Sequence, residues 1–243
     1  MRRTLWTAVL AVAAFAAIVL ARLPASWVLG STPAYACASI DGTVWSGSCT
    51  GLSVQQFSLG DLAWQLAPLR LLSGALAAHL VLENGPLSAR GDLALAIGGR
   101  ITLQNVTADV PLDPALIPRA PRQLRGRLHA DLALARLEHG VVVDLKGRLE
   151  AHDLTQRTGQ VTPIGSYAVS FPGGGAEPLG TLHDLGGPLA VQGTLRLRGD
   201  GGYVLEGLVA ARPEAAPELV NSLPYLGSPD ALGRRPFSFA GRL

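Results

Sequence analysis

Lysine is almost missing from this chain: Lys146 is the only one among 20 basic residues. Aromatic residues make up 5 % of the sequence, methionine occurs once and cysteine twice. Each scarcity excludes something. A nucleic-acid binder needs a basic excess gathered on one face. Here Arg2, Arg3 and Arg22 flank the first apolar run, and the rest of the chain holds 17 basic against 18 acidic residues. Two cysteines cannot build a zinc site alone, and none of His79, His129, His139, His152 or His183 has a His or Cys at ligand spacing. With so few rings, a core must come from Leu, Val, Ala and Ile, which the 48 % hydrophobic content readily supplies.

What the chain has in quantity is glycine and proline, 29 and 17 residues, as in many short strands joined by turns. Period-2 alternation is the dominant pattern. Val141, Val143, Leu145, Gly147, Leu149 and Ala151 alternate with Asp144, Lys146, Arg148 and Glu150. Upstream, Leu124, Gly126, Leu128, Ala130, Leu132 and Leu134 alternate with Arg125, Arg127, His129 and Asp131. Glu138-His139-Gly140 turns between them, so the two segments read as a long antiparallel hairpin with one wet face. Leu189 to Leu197 and Tyr203 to Ala211 flank Gly199-Asp200-Gly201-Gly202 as a second hairpin. Leu87 to Leu95 and Ile101 to Val110 flank Gly98-Gly99 as a third. In its second strand the apolar phase moves from odd to even positions, which predicts a β-bulge near Gln104-Asn105.

Helices are few. Pro213 to Leu223 has room for one or two turns, and Asp113 to Ile117 for one, with Asp113 as N-cap and Pro114 at the first position. Pro111 to Pro121 and Pro172 to Pro188 read as breaks between strands. The fold class is all-β: a meander of successive hairpins whose apolar face must curl on itself or meet a partner.

Before the strands, Leu5 to Ala21 carries no charge and lies between Arg3 and Arg22; with Thr4 it makes 18 residues. That is the short end of what spans a bilayer as a helix. The arginines before it keep the N-terminus in the cytoplasm, so residues 1–22 read as cytoplasmic start and anchor and 23–243 as an exported domain. A cleaved signal peptide is the competing reading, but Arg22-Leu23-Pro24 is no cleavage site, and Ala34-Tyr35-Ala36 lies too far downstream. Cys37 and Cys49 both fall in the exported part, where an oxidising compartment favours a disulfide; two buried thiols are the alternative.

The search for catalytic groups finds no constellation, and the expectation is no enzyme, no cofactor and no metal. There is no G-x-S-x-G elbow. Asp92, Asp109, Asp131, Asp144 and Glu150 are explained by wet strand faces, and no pair stands out. His129 on a polar face and His139 in a turn read as solvated histidines. Gly175 to Gly180 with Thr181 mimics phosphate-loop spacing but lacks the lysine and the following helix, so it reads as a loop.

Trp45 in Gly42-Thr43-Val44-Trp45-Ser46-Gly47 and Trp64 in Leu62-Ala63-Trp64-Gln65-Leu66 read first as core fillers, and Trp27 as an interfacial anchor near lipid headgroups. In their order, followed by Leu71-Leu72-Ser73-Gly74, these segments resemble the type II secretion system protein N family. So do Leu185-Gly186-Gly187-Pro188, Leu226-Gly227-Ser228-Pro229-Asp230-Ala231-Leu232-Gly233-Arg234 and Phe237-Ser238-Phe239-Ala240-Gly241. The family-motif positions are Gly42, Trp45, Gly47, Trp64, Gly74, Gly227 and Gly233. The resemblance implies an accessory component of the bacterial inner membrane, single-pass, with a cytoplasmic N-terminus and a periplasmic β-domain. Such a protein supports export of folded proteins from the periplasm and has no catalytic residues. It implies as partners the inner membrane and other secretion components, either the inner-membrane platform or the inner-membrane protein that contacts the outer-membrane secretin, and no nucleic acid. The family also looks like a shorter relative of AsmA-type proteins, whose curved, half-open sheets form apolar grooves. That implies lipid or another apolar ligand as an alternative partner.

Overall fold

The computed structural model describes residues 12, 15, 18–29, 35–54, 57–71, 73–113, 117, 122–157 and 160–242. The apolar run from Leu5 to Ala21 lies mostly outside them, and no described helix is long and apolar enough to cross a membrane. The expected turn at Asp113 to Ile117 is also largely outside, although the Ile117 amide donates to the Asp113 carbonyl at 2.8 Å.

Fourteen strands make one open antiparallel sheet in sequence order. They are β1 (Tyr35–Ala36), β2 (Ser39–Gly42), β3 (Ser46–Val54), β4 (Phe57–Leu66), β5 (Ala75–Glu83), β6 (Ser88–Ala96), β7 (Arg100–Pro111) and β8 (Leu124–Glu138), then β9 (Val141–Arg157), β10 (Val161–Pro172), β11 (Leu179–Gly186), β12 (Leu189–Leu197), β13 (Gly202–Ala211) and β14 (Arg235–Arg242). Both β1 and β2 pair with β3, as two pieces of one edge. Short helices punctuate the meander: α1 (Ala25–Leu29), α2 (Pro68–Leu71), α3 (Pro217–Ser222) and a 3₁₀ turn, η1 (Leu223–Leu226). The last two fall where one or two helical turns were expected, shifted a few residues onward.

The three expected hairpins are β8–β9, β12–β13 and β6–β7. The bulge also falls as read: Arg90 pairs Thr107 and Asp92 pairs Gln104, leaving Gly91 opposite two residues, with Asn105 at φ 51°. Among the described residues the other non-glycine residues with positive φ are Asn84, His139 and Asp153, polar types that tolerate the left-handed region.

Two further bulges overturn part of the alternation. Leu132 pairs Gly147 and Leu134 pairs Lys146, so Ala133 is extra and the phase flips. Leu134 thus lies on the Lys146 face, while Ala135, paired with Leu145, is buried. Likewise Arg136 pairs Asp144 and Leu137 pairs Val142, so Val143 is extra and Val142, not Val143, packs with Leu145. The segment Pro172 to Pro188 is not simply a break, because it contains β11. The expected loop at Gly175 to Gly180 already enters that strand at Leu179.

One apolar face runs through the register: Trp64 opposite Leu80, Leu93 opposite Leu103, Leu103 opposite Ala135, Leu149 opposite Val169, and Val169 opposite Leu182. Two buried clusters lie on it. Ala25, Cys49 and Trp64 form one near the N-terminal edge; Ala135, Leu145, Phe171 and Leu197 form the other in the middle. Four of the scarce rings sit directly opposite glycines: Trp64 on Gly47, Phe171 on Gly147, Phe237 on Gly207 and Tyr203 on Gly241. A Cβ at Gly47, Gly207 or Gly241 would lie 2.6–2.8 Å from the ring opposite, so a missing side chain is filled by its cross-strand neighbour.

At β11 the sheet folds over. Cα atoms of β10 and β12 come within 8 Å across it, where a flat sheet would hold them about 9.5 Å apart. Gly180 permits this, since a Cβ there would meet the Phe171 ring at 2.8 Å. The chain presents 15271 Å² to solvent, against about 10,300 Å² for a compact globule of 25.2 kDa. No second layer of secondary structure covers the apolar face among the described residues.

Candidate functional site

Four of the motif residues meet at the N-terminal edge. Gly47 lies beneath the Trp64 ring, and the Trp64 indole Nε1 donates to the Val44 carbonyl at 3.1 Å. The Trp45 Nε1 donates to the Leu20 carbonyl at 2.7 Å. Gly42, at φ 92°, makes the tight bend before this segment, and a Cβ there would strike the Ser46 carbonyl at 2.5 Å. The Cys37 and Cys49 sulfurs are bonded at 2.01 Å, pinning the broken edge strand to β3. Pro24 bridges Thr43, the Val44 amide donates to Leu23, and Ala25 is wholly buried against Trp64 and Cys49. Together these contacts clamp residues 20–25, at the end of the apolar run and just beyond it, onto the sheet.

The other motif positions lie elsewhere. Gly74 turns the chain into β5 at φ 73°; Gly227 closes η1 at φ 115° and Gly233 turns into β14 at φ 76°. Trp27, in α1, is 74 % exposed. Sequence reasoning missed Ala25, whose burial has no local periodic signal.

Between the two clusters the apolar face opens into a shallow groove of about 230 Å³, lined among others by Leu62, Leu80, Leu82, Leu93, Leu103 and Val106. The opposite face is polar, and its charges pair both across strands and, for His152 with Glu150, within β9. His79 Nδ1 lies 2.8 Å from Asp92, His129 Nδ1 2.9 Å from Asp109, and His152 Nε2 2.7 Å from Glu150. His129, read as merely solvated, is therefore partnered. The hydrogen bond from His79, helped by Asn105, holds the Asp92 carboxyl below its usual range. Asp144 is also more than a wet-face residue: its side chain is 13 % exposed and accepts from the Gly174 amide at 2.9 Å.

Asp184 anchors the far end of β11. Burial pushes its carboxyl up, but hydrogen bonds from Arg212, at 2.5 Å, and from the Val191 and Gly186 amides prevail and hold it below its usual range. Beside it, burial and the Asp184 charge push the Tyr167 hydroxyl up to about 12. These groups tie turns together. Among the described residues no charged or polar side chain is fully buried, and no three His, Cys, Asp or Glu side chains could hold a metal.

The family model described as "Type II secretion system (T2SS), protein N" matches residues 33–238. The chain belongs to this family. It is 25 % identical over 256 aligned positions to the type II secretion system protein N of Aeromonas hydrophila, covering 100 % of both chains. It is 27 % identical over 241 positions to the protein of that name from Vibrio cholerae serotype O1, covering 93 % of both. No solved structure matches it. The protein N family match makes the chain a type II secretion component, with no catalytic role attached.

Proposed function

We propose that this protein is an accessory inner-membrane component of the type II secretion machine, a structural and interaction protein rather than an enzyme. Residues 1–22 would form the cytoplasmic start and single anchor, and residues 23–243 a periplasmic domain facing other secretion components. The observation that carries the reading is the clamp: Trp45 and Val44 bond to Leu20 and Leu23, so the sheet is fixed without a slack linker to the end of the apolar run. An anchor joined in this way holds the sheet at a set height above the bilayer, as a spacer within a machine requires. Trp27, exposed beside that junction, would contact the lipid headgroups.

The test has two arms. N-terminal sequencing of membrane-extracted protein should find the chain uncleaved, and a mature start beyond residue 22 refutes the anchor. Changing Asp92, Asp109, Asp131, Asp144, Glu150 and Asp184 singly to the amide should leave no variant that is folded, abundant and secretion-dead. One such variant would restore an enzymatic or ligand-site reading.

The open apolar groove favours a second reading, periplasmic binding or transfer of lipid in an AsmA-like half-open sheet. Lipid co-purifying with the full chain and lost in Leu103→Gln would support it.

A further inference from the structure

The two edges of the sheet are finished differently. The N-terminal edge carries several of the devices by which proteins prevent strand addition. Its strand is broken into two- and four-residue pieces, β1 and β2. It is tied down by the Cys37–Cys49 disulfide and bridged by Pro24. The C-terminal edge is a regular eight-residue strand, β14, paired to β13 from Gly202–Arg242 to Val209–Arg235 without a register shift.

Proline fixes which groups of β14 point outward. Pro236 has no N–H and pairs Leu208, so its backbone position is one that faces away from β13. By alternation, the Ser238 and Ala240 amides and carbonyls also face outward. Apolar surface surrounds this edge: Phe239 is 55 % exposed, Leu232 74 % and Tyr225 91 %. The Phe237 and Phe239 ring centroids are 5.9 Å apart.

Charge argues for the occupant. Arg235 and Arg242 bracket β14; Arg235 donates to the Gly227 carbonyl, and among the described residues neither arginine makes a direct ion pair, although Arg242 lies in the field of Asp200, whereas Arg234 is paired with Asp230. A second copy laid antiparallel on β14 would bring Arg235 and Arg242 toward each other at both ends, which is unfavourable. We propose that the outer edge of β14 accepts an extended segment of another secretion protein as a fifteenth strand. That segment has apolar side chains at alternate positions, to lie beside Phe237 and Phe239, and carboxylates at both ends. The proposal deepens the interaction reading above and rests on it for the identity of the partner.

The test uses the full chain in its own host, with a photo-crosslinking phenylalanine derivative in place of Ala240 and, separately, of Ser39 on the protected edge. Position 240 should yield an adduct with another secretion protein and position 39 none. Ser238→Pro removes an outward amide while leaving the β13 ladder, so it should lower the adduct about tenfold at unchanged melting temperature, with Ser238→Ala as control. Should Ser238→Pro fail to fold, the double variant Arg235→Glu, Arg242→Glu reverses the flanking charge without touching the backbone and should lower the adduct likewise. Adducts of twice the chain mass, adducts with lipid alone, equal adduct in folded edge variants, or no adduct each overturn the proposal. Deletion of the chain without loss of secretion would instead reject the functional reading, leaving the edge result to stand separately.

Discussion

At the N-terminal edge, one disulfide, two indole hydrogen bonds and the buried Ala25 hold the sheet together. In the middle, the same task falls to Ala135, Leu145, Phe171 and Leu197 from four different strands, with no crosslink. The first cluster is assembled from residues close in sequence, and each tie is directional. The second depends on the sheet folding at β11 so that Phe171 reaches Leu197 over Gly180. A single sheet with one apolar face has little depth, so each buried side chain carries a large share of the stability. The two clusters should therefore fail differently: the central one globally, the N-terminal one locally.

Leu145→Asp should have the largest effect. It buries an unpaired charge among Val142, Leu149 and Phe171, at a cost of several kcal/mol, comparable with the whole stability of about 5–15 kcal/mol for a domain. Loss of the cooperative urea transition is the expected result. A normal midpoint would show that the central cluster is not the core.

Trp64→Ala comes next, at about 3–5 kcal/mol, because it empties the space over Gly47 and abandons the Val44 carbonyl. Hydrogen exchange should rise in β3 and β4 while protection in β8 to β10 persists. Uniform loss of protection would mean that the two clusters are one cooperative unit.

Replacing Cys37 and Cys49 together by alanine should cost about 3 kcal/mol at most, as expected for closing a short loop. Their 12-residue separation confines the constraint to the N-terminal edge, so the melting of the central strands should move little. In wild-type protein, alkylation without reduction should label neither thiol.

The same contrast explains what could be read in advance. Long alternating runs with glycine turns revealed the three hairpins, because a wet face and a dry face force period two. The bulge at Asn105 was visible because an asparagine suited to positive φ coincided with a change of phase. The bulges at Ala133 and Val143 had no such mark: the apolar runs around them satisfy either phase, so Leu134 and Val143 were put on the wrong face. Strand β11 was hidden among prolines and glycines, yet Gly180 is the residue that lets Phe171 cross it. The N-terminal motif residues could be singled out, but not the clamp, since its partners at Leu20, Leu23 and Ala25 contribute backbone atoms and a methyl group. Asp144 looked like a wet-face acid. Its contact with Gly174 depends on a loop returning from β10, so Asp144→Asn should cost about 1 kcal/mol rather than nothing.

The most specific effect concerns the end of β11, where Asp184 is tied to Arg212 and to the Val191 and Gly186 amides. Its folded carboxyl titrates below the ordinary value of 3.8. A depressed folded pKa means that the ionised form is bound more tightly in the native state than in the unfolded chain. The resulting stability is fully present above the unfolded value and is lost as pH falls through the folded one. Wild-type stability should thus decline below about pH 4, as should the contributions of Asp61, Asp92, Asp200, Asp230 and Glu150, which are shifted in the same direction. Comparison with Asp184→Asn isolates one group from this background. At pH 7 the variant should be about 1–2 kcal/mol less stable, through loss of a charge-assisted bond to Arg212. At pH 2.5 the difference should shrink toward zero, because the wild-type carboxyl is then increasingly protonated. Urea midpoints of both proteins across this range decide the matter. A difference that stays constant with pH would assign Asp184 a purely geometric role in holding the β11–β12 turn, with its ionisation irrelevant to the fold.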